Sequence, residues 1–146
     1  MKKYETTQGV RIANRIARWL ISAGIGPANG YLLGVRGRKT GKLYTTPVAL
    51  VIEGQDRYLV SPYGEVNWVR NARAAGAVSL MRAGKTETVT IQELDAAQSA
   101  PILKLYAQHN AVTRPYFDAA PDAPVEAFAA EAAQHPVFRL GATSAA

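Results

Sequence analysis

The segment between residues 30 and 95 most constrains the fold, because it consists of short β-rich stretches separated by turns that contain glycine. The stretches are YLLGVRG, LYTTPVALVIEG, RYLVSPY, AVSLMR and TETVTIQEL, and a final one, HPVFRL, follows near the end of the chain. Strands in such close succession favour hairpins over alternating βαβ units. The pattern predicts five or six strands in meander order, interrupted by short helices, which is an α+β fold built on a small barrel.

Helical patterns flank these strands. Residues 8–24 carry Val10, Ala13, Ile16, Ala17, Leu20 and Ile21 at helical spacing, with Arg11, Arg15 and Arg18 on the opposite side. This basic amphipathic helix is predicted to cover a core, and contact with a membrane surface is the alternative use. Further helices are predicted at 65–76, after the N-cap Asp95, and at VEAFAAEAAQ. The 146 residues fit a single domain, 1–146.

The positive charge of the chain is concentrated in its first part. Residues 1–85 hold 14 Lys and Arg against 4 Asp and Glu, whereas residues 86–146 hold 3 against 7. Such asymmetry predicts an anionic partner, which could be a nucleic acid, an acidic lipid surface or a phosphorylated small molecule. Aromatic residues are not interleaved with the basic ones, so a nucleic acid is the least favoured of the three.

Several kinds of catalytic site lack the residues they need. The chain has no cysteine, its only histidines are His109 and His135, and the carboxylates are scattered singly. A metal site, a cysteine nucleophile and a paired-acid hydrolase are therefore not expected. No GxSxG, GxGxxG or GxxxxGK[ST] motif occurs, which removes the common signatures for serine hydrolysis and nucleotide binding.

The turn GRKTGK at residues 37–42 is the first candidate binding element. Its glycines permit tight backbone geometry and close approach of a ligand. Arg38 adds a planar guanidinium, which can donate two parallel hydrogen bonds, and Lys39 adds a compact ammonium group. Phosphate oxygens accept hydrogen bonds from both. On its own the turn is better explained as a solvated hairpin tip. Whether it is part of a binding site therefore depends on the residues around it.

Those neighbours carry polar groups suited to a flat ligand. Thr45-Thr46-Pro47 follows within one strand length, and a proline in a strand marks an edge, a bulge or a break. Ser61-Pro62-Tyr63-Gly64 then ends a strand just before a helix, whose N-terminus favours anions. On that helix, Trp68 and Asn71 face the same side, and a buried Asn71 amide would need hydrogen-bond partners.

This series, GRKTG, TTPV, a strand that ends before a glycine, WxxN and HPVFRL, resembles the deazaflavin-dependent nitroreductase family. It is densest from Tyr31 to Leu80 and returns at Pro136 to Leu140. The resemblance implies the split β-barrel fold of pyridoxamine-oxidase-like flavin proteins and the coenzyme F420, a hydride carrier with a phosphate and an oligoglutamate tail. The family usually has a longer, lysine-containing stretch where this chain has PYGEVNW.

Carried over by position, the resemblance also implies roles for individual residues. Arg38, Lys39, Thr40 and Gly41 would hold the phosphate and tail. The deazaflavin ring would lie against Thr45, Thr46, Pro47 and Val48, with Ser61, Tyr63, Gly64, Trp68 and Asn71 closing the pocket. The implied reaction is hydride transfer to a quinone, an activated alkene or a nitro compound, with Tyr63, Tyr106, Tyr116 or water as the proton source.

Two alternatives stay open at the level of the sequence. The same fold could bind FMN, or it could carry a cofactor or lipid without turnover. The N-terminus, MKKYETTQGVR, has no apolar core of a signal peptide, so a cytoplasmic location is expected, with membrane contact through the 8–24 helix as an addition. Both a monomer and a homodimer are compatible with the sequence.

Overall fold

A computed structural model describes residues 8–24 and 26–144, so the first seven residues of the chain lie outside it. Its centre is a curled antiparallel sheet of seven strands in the order β2-β1-β5-β6-β7-β4-β3. The strands are β1 Gly30–Arg36, β2 Leu43–Ala49, β3 Val51–Glu53, β4 Asp56–Val60, β5 Ala77–Arg82, β6 Lys85–Glu93 and β7 Val137–Ser144. This arrangement is a split β-barrel, and the predicted α+β class is confirmed.

The predicted meander order is wrong. Strand β1 pairs with β5, and the last strand, β7, inserts between β6 and β4 instead of following at an edge. Phe138 in β7 lies opposite Leu59 on one side and Glu93 on the other. Val137 and Phe138 are fully buried. The strand is therefore covered on both faces and paired along both edges, as a central strand of a sheet is.

The stretch LYTTPVALVIEG forms two strands instead of one. The break falls at Leu50, whose backbone N–H donates to the Asn29 carbonyl at 2.9 Å, while the Asn29 side chain donates to the Leu50 carbonyl at 3.0 Å. These bonds fix a corner, and the chain beyond it crosses to the opposite edge of the sheet as β3. Leu50 itself is buried in the barrel.

Four α-helices pack around the sheet: α1 Gln8–Ser22, α2 Asn67–Ala75, α3 Ala96–His109 and α4 Val125–Ala130. The predicted capping box of α3 is present, with Asp95 accepting from the Gln98 N–H at 2.8 Å and the Gln98 side chain accepting from the Asp95 N–H at 3.2 Å. Short 3-10 helices at Ala111–Tyr116 and Ala132–Gln134 complete the connection to β7.

Two hydrophobic clusters hold the fold together. The first fills the barrel under α2 and includes Leu33, Leu59, Val69 and Phe138. The second joins the outer face of the sheet to α3 and α4, and includes Leu103, Phe117 and Phe128. The helix α2 is therefore anchored on the barrel core, and the α3–α4 region is a separate layer on the other side of β4 and β7.

One face of α1 differs from its prediction. Ala17, Leu20 and Ile21 turn inward as expected, but the Ile16 side chain is 56% exposed. It lies on the outer face with Ile12 and Trp19, at the spacing i, i+4, i+7. The side chains of Val10 and Ala13 lie outside the described ones. The helix thus covers the site with a narrower apolar stripe than the sequence predicts.

Candidate functional site

A cavity of about 860 Å³ opens between α1, strand β2, the N-terminus of α2 and the C-terminal end of α3. Of the predicted site residues, six line it: Thr46, Pro47, Val48, Tyr63, Trp68 and Tyr106. A drug-sized or cofactor-sized ligand fits a cavity of this volume. Thr46, Pro47 and Val48 of the TTPV motif therefore meet Trp68 of the WxxN motif at one place in the fold.

The wall formed by β2 is the edge of the sheet, since β2 pairs only with β1. The Arg18 side chain donates to the Thr45 carbonyl, so the backbone groups of Thr45 point away from β1. In an antiparallel strand the outward-facing groups recur at every second residue, so the N–H that Pro47 lacks would also have pointed outward. Pro47 thus marks an edge, one of the three roles predicted for it, and its own outward-facing carbonyl is available to a ligand.

The N-terminus of α2 forms the facing wall. Val66, Asn67 and Trp68 line the cavity, and no side chain caps this helix end. The first backbone N–H groups of a helix lack partners within the helix and carry a partial positive charge, so they favour a carboxylate or phosphate. The Trp68 ring rests on Phe138 with the centroids 6.1 Å apart, which fixes its place in the wall.

The GRKTGK turn lies outside the cavity, at the far end of the β1–β2 hairpin. Its backbone is closed by the Gly37 N–H donating to the Lys42 carbonyl at 2.8 Å, and the Thr40 hydroxyl accepts from the Lys42 N–H at 3.2 Å. Gly41 has a φ of +72°, a conformation that favours glycine. Arg38, Lys39 and Thr40 are exposed, and Thr46 lies about 13 Å along the strand from Lys42 at 3.3 Å per residue.

Asn71 connects this turn to α2. Its Oδ1 accepts from the Arg38 backbone N–H at 3.1 Å and from the Arg38 guanidinium at 2.7 Å. The buried amide therefore has the partners that its burial requires, and they come from the predicted anion-binding turn. Trp68 and Asn71 lie three residues apart on one helix, so α2, like β2, extends between the cavity and the turn.

The cations of the turn are not neutralised by a described carboxylate. Among residues 8–24 and 26–144, the ion pairs of arginine join Arg57 to Glu87, Arg73 to Glu65 and Glu93, and Arg139 to Asp56. Glu65, the acidic residue of PYGEVNW, is thus held by Arg73 at 2.9 Å, and this hydrogen bond lowers the pKa of Glu65. Its charge is offset on the outer face of α2 instead of opposing an anion at the site.

The remaining predicted residues support the cavity from behind. Ser61 is fully buried, and its hydroxyl donates to the Gly64 carbonyl at 2.7 Å, which closes the turn that carries Tyr63. Tyr116 lies on the 3-10 helix after α3 and meets the Tyr63 ring edge-on, with the centroids 4.8 Å apart. Four of the remaining predicted site residues do not line the cavity: Thr45, Ser61, Gly64 and Tyr116.

Tyr106 lies at the deep side of the cavity. Burial raises the pKa of its phenol, and a hydrogen bond to Thr113 partly offsets this rise. The Thr113 hydroxyl also donates to the Asn110 carbonyl at 3.0 Å. Tyr106 consequently stays protonated well into the basic range.

Sequence reasoning missed the other lining residues, most of which come from α1, its following loop and the end of α3. All of them are Asn14, Ala17, Leu20, Ile21, Gly26, Pro27, Asn29, Gly30, Ala49, Val60, Pro62, Val66, Asn67, Arg82, His109, Asn110 and Thr113. Arg82 holds the loop in place by donating to the carbonyls of Gly30 at 2.8 Å and Gly26 at 3.0 Å. The turn residues GIGPANG were a visible signal for a loop, but not for its position over the cavity.

Comparisons with known proteins agree with the fold. An F420-H2 dependent reductase, FDR-A, is 21% identical with a TM-score of 0.53, covering 77% of this chain and 94% of its own. A putative pyridoxamine 5'-phosphate oxidase from Listeria innocua is 12% identical with a TM-score of 0.51, covering 89% of this chain and 94% of its own. A structure described as a domain-swapped dimer is 18% identical with a TM-score of 0.55, covering 92% and 99%.

No curated protein matches the chain in a sequence search. The sequence profile of the F420H(2)-dependent quinone reductase family matches residues 10–122, which is most of the chain. The match spans α1, both walls of the cavity, the cationic turn and α3. The predicted cofactor, F420, is the one that this family uses, and the chain belongs to the F420H(2)-dependent quinone reductase family.

Proposed function

We propose that this protein transfers a hydride from reduced F420 to a quinone, and that it also accepts activated alkenes or nitro compounds. The observation that carries this proposal is that β2 and α2 both extend between the apolar cavity and the exposed cationic turn. Strand β2 runs from the turn to the cavity, and α2 runs from the cavity to Asn71, which binds Arg38. A ligand with a flat ring and an anionic tail matches that arrangement.

The residues of the chain bind and orient; when bound, F420H2 supplies the hydride. Thr46, Pro47 and Val48 form a flat wall for the ring, with the Pro47 carbonyl facing outward. Arg38 and Lys39 hold the phosphate and the tail through charge-assisted hydrogen bonds. Exposed cations at the end of a strand suit a long anionic tail, because such a tail can stay partly in solvent while the ring is buried.

The acceptor lies, in this proposal, between the ring wall and the end of α3. Tyr63, Tyr106 and His109 face this part of the cavity. The protonated Tyr106 phenol can donate a hydrogen bond to a developing oxyanion on the acceptor. Tyr63, at the half-buried rim, is the tyrosine best placed to pass on a proton from solvent.

The experiment that tests this function is anaerobic oxidation of F420H2 by menadione, a cyclic enone and a nitroaromatic compound, each with purified protein. We expect turnover with menadione and a saturable dependence on F420H2. F420 binding without turnover across the three acceptors would instead favour a carrier. Tighter binding of FMN than of F420 in a parallel titration would overturn the cofactor assignment.

Asn71 is expected to act on F420 affinity only through Arg38. Replacing Asn71 with Ala removes the acceptor of both Arg38 hydrogen bonds, and we expect the F420 Kd to rise about tenfold, since hydrogen bonds to charged groups contribute about 1.5–3 kcal/mol. The measurement is a double-mutant cycle with Arg38→Ala, read by fluorescence titration. The double variant should bind about as weakly as Arg38→Ala alone; additive losses would show that the two residues act independently.

We also propose that the protein is cytoplasmic and that α1 contacts a membrane surface. Ile12, Ile16 and Trp19 form an exposed apolar stripe, and Trp19 is 67% exposed. Arg11, Arg15 and Arg18 form a parallel exposed stripe beside it, which suits anionic lipid headgroups. Among the described residues, no helix is long and apolar enough to cross a bilayer.

Replacing Ile12, Ile16 and Trp19 with Ser should abolish co-sedimentation with vesicles that contain an anionic lipid. The expected reason is loss of the buried apolar area, with the arginines retained. Arg11→Ala/Arg15→Ala should weaken the same binding and make it insensitive to salt. If the parent protein stays in the supernatant and elutes as a dimer that the Ser variant disrupts, the stripe is a dimer interface instead.

A further inference from the structure

A buried pair of titratable side chains lies outside the cavity. His135 is 1% exposed and Glu131 is 5% exposed, and the His135 Nε2 lies 2.7 Å from the Glu131 Oε1. Neither residue lines the cavity, and the proposed hydride transfer uses neither of them. Two ionisable groups kept out of water in a small domain are costly unless their hydrogen bonds are complete.

The hydrogen bonds of this pair are complete, and one of them fixes a proton on the Nδ1 of His135. The His135 Nδ1 lies 3.0 Å from the Pro62 carbonyl oxygen, which can only accept, so Nδ1 carries a proton. The Glu131 carboxylate also accepts from the backbone N–H groups of Asp118, at 3.1 Å, and Ala119, at 2.9 Å. Each ring nitrogen of His135 thus has one partner, and each carboxylate oxygen of Glu131 has two.

The partners belong to two segments that carry predicted catalytic tyrosines. Pro62 immediately precedes Tyr63, and Asp118 follows Tyr116 by two residues. The His135 ring also stacks on Phe117, with the centroids 4.1 Å apart and the planes at 25°. The Tyr63 and Tyr116 rings meet edge-on beyond this pair, 4.8 Å apart. The pair therefore joins the two segments behind the tyrosine contact.

The chain around His135 also shapes the Tyr63 turn directly. The Ser61 N–H donates to the Pro136 carbonyl at 2.9 Å. Gly64 has a φ of +88°, and a Cβ there would lie 3.3 Å from the Gln134 carbonyl oxygen. Residues 61–64 thus pack against residues 134–136. Within this contact, the His135 side chain donates its Nδ1–H to the Pro62 carbonyl.

We propose that His135 and Glu131 are positioning residues that set the placement of Tyr63 relative to Tyr116, and thereby the acceptor side of the cavity. The inference rests on the proposed function for its kinetic consequence only. The Nδ1–H of His135 holds the turn that lines the cavity, and Glu131 orients the ring while holding the segment after Tyr116. Neither residue touches the acceptor or the cofactor.

Three conservative variants separate the two bonds of His135. His135→Asn places an amide near the position of Nδ1 and retains a donor to Pro62, whereas the longer side chain in His135→Gln reaches the position of Nε2 and retains only the bond to Glu131. Glu131→Gln keeps an oxygen for the backbone N–H groups and offers its amide N–H to a neutral His135. This last variant is the matched control, because all its hydrogen bonds can be made.

The first readout is hydrogen–deuterium exchange of peptides covering residues 61–66 and 113–119, in the protein alone. We expect faster exchange of 61–66 in His135→Gln, with His135→Asn and Glu131→Gln close to the parent. The second readout is kinetic: in His135→Gln the acceptor kcat/KM should fall about tenfold while the F420 Kd stays within about twofold, because the reacting groups are displaced and the ring wall is not.

Two results would overturn the positioning role. In the first, His135→Gln exchanges like the parent at 61–66 and keeps its acceptor kcat/KM. In the second, His135→Asn and His135→Gln lower the acceptor kcat/KM equally, and hydrogen–deuterium exchange becomes faster across the whole chain. That result would indicate a purely structural role. If the parent reduces no acceptor, the proposed function fails, and the exchange pattern alone then supports or overturns the positioning of the Tyr63 turn.

Discussion

Replacing Arg38 and Lys39 together with Ala is expected to weaken F420 binding about 100-fold, because charge-assisted hydrogen bonds to an anion contribute about 1.5–3 kcal/mol each. Both side chains are exposed at the end of β2, and no described carboxylate neutralises them. The loss should be larger at low ionic strength, since exposed charges are screened by salt. Fluorescence titration of F420 at two salt concentrations measures both effects.

The matched control is Arg11→Ala/Arg15→Ala, which removes the same charge from the exposed face of α1. It should leave the F420 Kd within about twofold of the parent, because exposed charges that do not bind the tail directly are screened by salt. Equal weakening by the two double variants would show that long-range attraction, and not the turn, holds the tail. An unchanged Kd in Arg38→Ala/Lys39→Ala would remove the turn from the site.

The Phe138→Ala variant is expected to lower the free energy of unfolding by about 3–5 kcal/mol, the usual cost of truncating a buried Phe. Phe138 is 1% exposed, it belongs to the barrel cluster, and β7 pairs with both β4 and β6 around it. Its ring also supports Trp68 on α2. A loss of this size is a large share of the stability of a small domain.

Urea unfolding followed by circular dichroism measures that loss as a shift in midpoint. Phe138→Leu is the control, because it keeps most of the apolar volume, and its cost should stay below about 1.5 kcal/mol. A loss below about 1 kcal/mol in Phe138→Ala would contradict the central place given to β7, since truncation at a well-packed core position costs more.

Local features of the fold were predictable because their causes lie within a few residues. The Asp95–Gln98 capping box follows from two side chains three residues apart, and the structure contains it. The proline ring limited Pro47 to an edge, a bulge or a break, and the structure has it in an edge strand. The insertion of β7 between β6 and β4 depends on contacts between distant segments, so no local pattern could indicate it. The break at Leu50 likewise depends on Asn29, 21 residues earlier.

The candidate site also has a part that was predictable from the sequence and a part that was not. Its β2 and α2 walls come from compact motifs, and the buried Asn71 amide had to find partners, which Arg38 supplies. The opposite wall combines α1 with His109, Asn110 and Thr113, residues that form no motif in the sequence. The exposure of Ile16 was also unpredictable, because the helical spacing alone does not say how wide a stripe the neighbours cover.

The most direct test of the account is a structure of the protein in complex with F420. We predict that the deazaflavin ring lies against Thr46, Pro47 and Val48, inside the cavity that Trp68 closes. The phosphate or the oligoglutamate tail should reach Arg38 and Lys39 at the far end of β2. A ring bound elsewhere, or a tail that leaves the cavity in a direction away from the GRKTGK turn, would contradict the assignment of this site.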